Sequence, residues 1–274
     1  MPKLSQCLNA PCRTAAKHSK LMTTVGTFTI IRNEIAWIVA HLESWLPHVD
    51  EAVFYDGNST DGTLEVLKQY GGKVKVFENK DPQNLQDDYV KIFDQCLHEL
   101  STDYAIFAHP DMILMDPGNI RNLGENLSYF SNMLSFAGEP GGKLYQISGR
   151  SQKWKNVYRL RNPDLGLHYW GHYGAQNEDC YFKEITGDEH AFHGNKFEKY
   201  PYAVGDSGIK INHYSDVRTK ERRLDRMVKC LLNQGYLEED AKRLAPLHPR
   251  VTLEPGLGFD FAPAEYPGVF RVPA

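Results

Sequence analysis

Apolar and polar residues alternate with two different periods along the first 115 positions of the chain. Val25 to Ile31 is a run rich in Thr, Ile, Val and Phe, of the kind buried strands carry, and it stops at Arg32-Asn33-Glu34. From Ile35 the period lengthens. Ile35, Ile38, Leu42 and Trp45 share one helical face, and Pro47 closes the helix. A second strand, Ala52 to Tyr55, precedes a helix from about Asp61 to Tyr70, with Ser59 or Thr60 as N-cap candidate and Gly71-Gly72 as its stop. A third strand spans Val74 to Phe77. A longer helix, about Leu85 to Leu100, carries Leu85, Tyr89, Ile92, Phe93, Cys96 and Leu97 at helical spacing. The fourth strand, Tyr104 to Phe107, runs into Ala108-His109-Pro110-Asp111. Strands alternating with helices in this way call for an α/β fold with a mostly parallel sheet and helices on both faces.

Beyond this point the pattern is harder to read. Residues 112 to 190 are rich in aromatics and glycines, with short strands expected at Leu144 to Ser148 and Val157 to Leu160. A C-terminal helix, about Asp216 to Gln234, places Leu224, Met227, Val228, Leu231 and Leu232 on one stripe. The tail from Pro246 holds six of the fifteen prolines and reads as an extended arm on the surface. Residues 1–23 lack periodicity and read as a flexible leader. The chain thus divides into that leader, an α/β half over 24–115, a second half of the same domain over 116–245, and a proline-rich arm over 246–274.

A chain of 274 residues is long enough for one large domain with a substantial core. The net charge of −4 gives no basic footprint for nucleic acid. Five scattered cysteines (Cys7, Cys12, Cys96, Cys180, Cys230) with no C-x-x-C pair argue against a disulfide framework and for a reducing compartment. No run approaches the length of a membrane span, and Lys3, Arg13, Lys17 and Lys20 flank no apolar core of a signal peptide. A cytoplasmic protein with no transmembrane segment is the expectation.

The most informative stretch is Val53 to Thr63. An apolar strand ends in two acids, Asp56 and Asp61, spaced around Gly57, Asn58, Ser59 and Thr60, and a helix follows. In open α/β sheets such strand-to-helix turns are where ligands bind. The stretch resembles the nucleotide-binding segment of family 2-type glycosyltransferases, Asp-x-x-Ser-x-Asp-Gly-Thr, through Asp56, Ser59, Asp61, Gly62 and Thr63. The resemblance is best over about 25–115 and weaker at 170–182 and 211–216. It implies the GT-A (Rossmann-like) fold and transfer of a sugar from a nucleotide donor to a carbohydrate or other hydroxyl acceptor. The reaction implied is inverting and hexosyltransferase-type, with UDP favoured by family frequency and Mn²⁺ or Mg²⁺ as cofactor. The 24–115 half would then bind the nucleotide-sugar and the 116–245 half the acceptor. Arg32, Asn33, Glu34, Asp56 and Asp61 would grip the nucleoside, since carboxylates accept hydrogen bonds from ribose hydroxyls and a base imide. The plainer readings are that Asp61 is a helix-start acid and Glu34 a solvated one.

The family's Asp-x-Asp after the fourth strand stands here as His109-Pro110-Asp111. The resemblance makes Asp111 a metal ligand, and it places His109 at the nucleotide or the metal, where imidazole suits Mn²⁺ better than Mg²⁺. The alternative is a turn in which Pro110 fixes the backbone and His109 packs. Glu178-Asp179, after a Gly- and aromatic-rich loop, resembles the family's x-Glu-Asp motif, making Asp179 the general base and Glu178 an acceptor contact; Asp179 as a simple helix-start acid is the alternative. His213 resembles the late histidine that such enzymes supply to the metal. The basic helix with Arg218, Lys220, Arg222, Arg223 and Arg226 reaches the diphosphate or is a solvated face, and the alternation of its charges with the apolar stripe favours the latter.

Trp154, Tyr158, Tyr169, Trp170 and Tyr173 are candidates for a sugar-stacking platform or for the core. His168, His172, His190 and His193 have zinc-like spacings, but no His-Glu-x-x-His is present. Two other functions remain open: a nucleotidyltransferase of similar fold, which would carry a Gly-rich phosphate loop after strand 1, and a non-catalytic nucleotide- or sugar-binding relative, for which the His109 substitution argues.

Overall fold

The first half assembles as β1 (Val25–Ile31), α1 (Ile35–Trp45), β2 (Glu51–Asp56), α2 (Thr63–Gln69), β3 (Val74–Glu78), α3 (Tyr89–His98) and β4 (Tyr104–Phe107), in the order that the periodicity predicts. The computed structural model describes residues 23–79, 89–124, 128–148, 153–159, 204–233, 235–257 and 259–264, so Leu85 at the expected start of α3 lies outside the described residues. Parallel neighbours need a crossover connection rather than a tight turn. Accordingly β1–β2, β2–β3 and β1–β4 are all parallel, with the order β3-β2-β1-β4. The chain builds outward from β1 to β3 and then returns to the other side of β1. Between β1 and β4 the strand order therefore reverses, which is where an α/β sheet leaves a crevice at its carboxyl edge.

Helices cover both faces. Gly26 and Ile31 lie five positions apart on β1 and so face opposite sides. Leu100, just past α3, lies over Gly26, where an added Cβ would come within 2.5 Å of its Cδ2. On the other face Ile31 packs with Ile38 and Leu42 of α1 and Leu67 of α2. The expected cap of α2 is not Ser59 or Thr60: the N-cap is Gly62, whose φ of 96° lies in the left-handed region that glycine tolerates.

The second half adds β5 (Met112–Asp116), β6 (Ser128–Gly138), β7 (Leu144–Ser148), β8 (Lys153–Arg159) and β9 (Val204–Val217). It closes with α4 (Lys220–Asn233), α5 (Glu238–Leu244), α6 (Pro249–Thr252) and β10 (Asp260–Ala264). β8 joins β4 antiparallel, and the sheet continues through β6 and β7 to β10 at the edge. The long β9 lies parallel to β6 and antiparallel to β5. The result is one ten-stranded α/β sheet with the parallel strands of the first half as a block and an antiparallel extension beside them. The expected strand at Leu144 to Ser148 is β7, and the one expected from Val157 falls on the end of β8, with Leu160 outside the described residues. Gly118 makes the turn after β5, where its φ is 53° and a Cβ would come within 2.4 Å of the Gly208 carbonyl carbon.

α1 serves both halves. Trp37 stacks on Tyr214 of β9 with ring centroids 5.1 Å apart, while the Trp45 indole N–H donates to the Met112 carbonyl at 3.0 Å. α4 begins four residues later than its apolar stripe predicts. Asp216 and Val217 belong to β9, with Arg250 donating to both Asp216 carboxylate oxygens at 2.7 and 2.8 Å. The stripe packs Met227 and Leu231 against Ala241, Ala245 and Val251, and leaves Leu232 38% exposed. The proline-rich tail turns at Ala245–Leu247, forms α6, and then runs extended as β10, where Pro263 sits on an edge strand that can spare an N–H. Among the described residues no helix is long and apolar enough to cross a membrane, and Cys96 is a buried free thiol.

Candidate active site

Two loops at the carboxyl ends of β1 and β2 are stitched together. Asn33, held at φ 55°, donates its backbone N–H to the Ser59 hydroxyl at 2.9 Å, and its side-chain oxygen accepts from the Thr60 N–H at 2.8 Å. The Glu34 N–H donates to the Thr63 hydroxyl at 2.9 Å. Asp61 completes the seam by accepting from the N–H of Ile35 at 3.1 Å and from the N–H and hydroxyl of Thr63 at 3.1 and 2.5 Å. It thereby satisfies free N–H groups at the first turns of α1 and α2. Burial pushes the Asp61 carboxyl up, and these hydrogen bonds outweigh it, leaving a net lowered pKa. Asn33 and Asp61 thus act on the seam that shapes the loops.

Asp56 is different. It ends β2, is 1% exposed, and accepts at Oδ2 from the Ser59 N–H at 2.9 Å. Its Oδ1 is buried with no hydrogen-bond partner. A buried acceptor left unsatisfied costs about 1–3 kcal/mol. The vacant lone pairs are suited to a ligand's N–H or O–H.

The β1–β4 crevice is an open cleft of about 410 Å³. Arg32 and Glu34 follow β1, and His109, Pro110 and Asp111 follow β4. Asp111 is brought to β9 by the pairing of Met112 with His213, and the Tyr214 N–H donates to the Asp111 carbonyl at 2.9 Å. Asp111 Oδ1 thereby lies 3.3 Å from His213 Nε2, and Oδ2 lies 3.3 Å from an Arg218 guanidinium nitrogen that also meets Glu34 at 3.1 Å. Burial raises the Asp111 carboxyl, but His213, Arg218 and His109 together hold it well below the usual carboxylate range. Glu34 goes the other way: burial raises it and Asp111 adds to this, against the restraint of Arg218. His109 stands edge-on to Phe107 with ring centroids 4.6 Å apart and stacks on His213 at 6.1 Å. Burial depresses its pKa to about 4, so it is neutral at physiological pH.

A divalent cation is what the resemblance implies for this place, and the residues fit one. Asp111 Oδ1 and His213 Nε2 face each other at 3.3 Å, and Oδ1 is buried with no hydrogen-bond partner. A carboxylate oxygen beside an imidazole is a donor set for Mn²⁺ more than for Mg²⁺. Among the described residues no cluster of three or more His, Cys, Asp or Glu residues suits a metal, so substrate oxygens and water would complete the shell.

α4 supplies the remaining wall. Arg222, Asp225, Arg226 and Lys229 line the cleft and are exposed, so the face expected to be solvated also borders the crevice. Arg223 is instead buried, donating to the Gly138 carbonyl and to Glu139, each at 2.7 Å. Their i, i+4, i+7 spacing was the signal that sets Arg222, Arg226 and Lys229 apart from Arg223. Glu178 and Asp179 lie outside the described residues, as do Tyr169, Trp170, Tyr173, His168, His172, His190 and His193 and the side chains of Trp154 and Tyr158.

Fold and site together define an α/β protein whose strand-end crevice pairs buried carboxylates with a strongly basic wall. Solved structures show a distant similarity to this chain. Residues 1–349 of S. aureus TarS match at 13% identity and a TM-score of 0.40, covering 84% of this chain and 70% of that one. The same protein in complex with UDP matches at 13% and 0.39, covering 85% and 76%. Glucosyl-3-phosphoglycerate synthase from Mycobacterium tuberculosis, in complex with Mn²⁺, UDP and glucosyl-3-phosphoglycerate, matches at 17% and 0.38, covering 78% and 81%. No protein-family model and no curated protein matches the sequence. At these identities, function is read from this chain's own residues.

Proposed function

We propose that this chain is a glycosyltransferase that moves a sugar, of hexose type, from a nucleotide-sugar donor, UDP-linked, to an acceptor hydroxyl with inversion. The observation that carries the reading is the meeting of Asp111 and His213. These residues come from distant parts of the chain, and each resembles a metal-ligand position of the family on sequence alone; they stand 3.3 Å apart, with Asp111 lining the basic cleft and His213 behind it. In this reading Asp56 holds the nucleoside through its vacant Oδ1, while Asn33 and Asp61 fix the loops that position it. Arg32, Glu34 and His109 line the path from nucleoside to sugar. Asp111 and His213 hold a divalent cation, which supplies charge neutralisation for the departing diphosphate. Asp179 takes the proton from the acceptor hydroxyl, with Glu178 beside it; this assignment rests on the sequence motif.

The test is binding. UDP raises the melting temperature, because a ligand selective for the folded state stabilises it, and the rise is larger with Mn²⁺ than with EDTA. Asp56→Asn keeps an acceptor for Ser59 but can turn an amide N–H toward the ligand's donors. It should weaken UDP binding about tenfold or more, the scale of one charge-assisted hydrogen bond. UDP binding that is indifferent to both EDTA and this substitution sinks the proposal.

A further inference from the structure

The cleft carries more positive charge than a nucleoside diphosphate with its cation can use. Five cations line it (Arg32, Arg218, Arg222, Arg226 and Lys229) against three carboxylates (Glu34, Asp111 and Asp225), in a chain whose net charge is −4. These cations are not equivalent. Arg218 is committed to Glu34 and Asp111, and Arg226 donates to the Ser215 carbonyl at 2.7 Å. Arg222 and Lys229 are exposed, and their side chains have no hydrogen-bond or ion-pair partner among the described residues. They lie seven residues apart on one face of α4, about 10 Å along its axis at 1.5 Å per residue. With a divalent cation on Asp111 and His213, the five cations and three carboxylates of the lining leave a surplus of two positive charges over the two negative charges of a diphosphate, which is the charge that Arg222 and Lys229 carry.

We infer that Arg222 and Lys229, with Arg226 between them, form a second anion subsite, and that the acceptor is a phosphate-bearing molecule. The inference rests on the glycosyltransferase reading for the word acceptor; the subsite itself does not. Guanidinium groups suit phosphate because their fork of N–H donors matches its oxygens, and Lys adds a point charge. Such a subsite orients the acceptor's hydroxyl by gripping a group remote from it, which is how remote binding energy serves positioning.

The experiment uses the whole chain saturated with UDP and Mg²⁺, titrated with inorganic phosphate in a calorimeter. The expected result is a phosphate binding event additional to that of UDP. In the double variant R222A/K229A this event weakens at least tenfold, while UDP affinity changes by less than threefold. Both residues are exposed, so circular dichroism should be unchanged. Phosphate that competes with UDP, or that binds the double variant as well as the parent, overturns the subsite. Phosphate that binds through Arg222 and Lys229 to a protein that does not bind UDP keeps the subsite and removes the glycosyltransferase reading.

Discussion

Arg218→Ala should destabilise the protein by about 3–5 kcal/mol, the usual cost of removing one partner from a buried ion pair. The guanidinium bridges Glu34 and Asp111 at 3.1 and 3.3 Å, and all three side chains are largely withdrawn from water. Removing it leaves two carboxylates facing each other in a poorly hydrated place. Arg218→Lys keeps the charge without the fork, so it should recover part of the loss. The deficit should also shrink as pH falls. Burial already raises Glu34 above its ordinary value, and Arg218 is the principal group restraining it. Without Arg218, Glu34 takes up a proton at higher pH in the folded than in the unfolded chain. Stability of the variant therefore rises as pH drops through that range. Mn²⁺ should restore the variant more than it stabilises the parent, because a cation at Asp111 replaces the lost charge. Urea unfolding at pH 7 and at pH 5, with and without Mn²⁺, reads all of this. A variant within 0.5 kcal/mol of the parent at pH 7, by the usual scale of surface substitutions, would show that the bridge carries no structural load.

The parallel block was legible because its central strands are covered on both faces. Tyr104 to Phe107 is a continuous apolar run, and Val25 to Ile31 is buried almost throughout with β-branched Thr27 and Thr29 among its apolar residues, as a covered parallel sheet allows. β6 and β9 escaped for the opposite reason. Their interiors carry Ser131, Ser135, Asn212, His213, Ser215 and Asp216, all buried. Several are satisfied by partners distant in sequence, as when Ser131 donates to Asn156 at 2.7 Å and Arg250 to Asp216. Polarity that is neutralised across the sheet hides a strand from any test of periodicity. In the site, residue types could nominate Asp111 and His213 separately, but their contact depends on β5 pairing with β9. The cations of α4 posed a similar problem. A row of charges on a helix face has the same spacing whether it meets bulk water or a cleft, and only the packing of the opposite face on α5 and α6 decides. Asp61 was legible as a helix-start acid. That it also caps α1 from a neighbouring loop was not, since the Ile35 N–H is 26 positions away.

Between pH 6.5 and pH 4 the protein should lose about 3 kcal/mol of stability through His41 alone. The ring sits inside the sheet–helix core, with Nδ1 3.0 Å from the Met112 carbonyl, Nε2 3.4 Å from the Thr29 hydroxyl, and the Phe54 ring edge-on at 5.9 Å. The carbonyl only accepts, so the proton of the neutral ring is assigned to Nδ1. Both partners tolerate the charged ring too, since the Thr29 oxygen accepts a hydrogen bond as readily as it donates one. The penalty for charging His41 is therefore burial, which outweighs the favourable Met112 contact and the Asp111 charge and lowers its pKa to about 4. In the unfolded chain the same ring binds a proton near pH 6.5. Above that value neither state is charged and stability is complete. As pH falls the unfolded state gains a proton that the folded state refuses, and the loss levels off below pH 4, at about 1.36 kcal/mol for each pH unit between the two pKa values. His41→Gln keeps a donor for Met112 and does not titrate. Its unfolding free energy should fall between pH 7 and pH 4.5 by about 2.5 kcal/mol less than that of the parent, whatever the packing cost at neutral pH. Parallel pH profiles for the two proteins would mean that the unfolded chain gains no proton at His41 that the folded chain lacks.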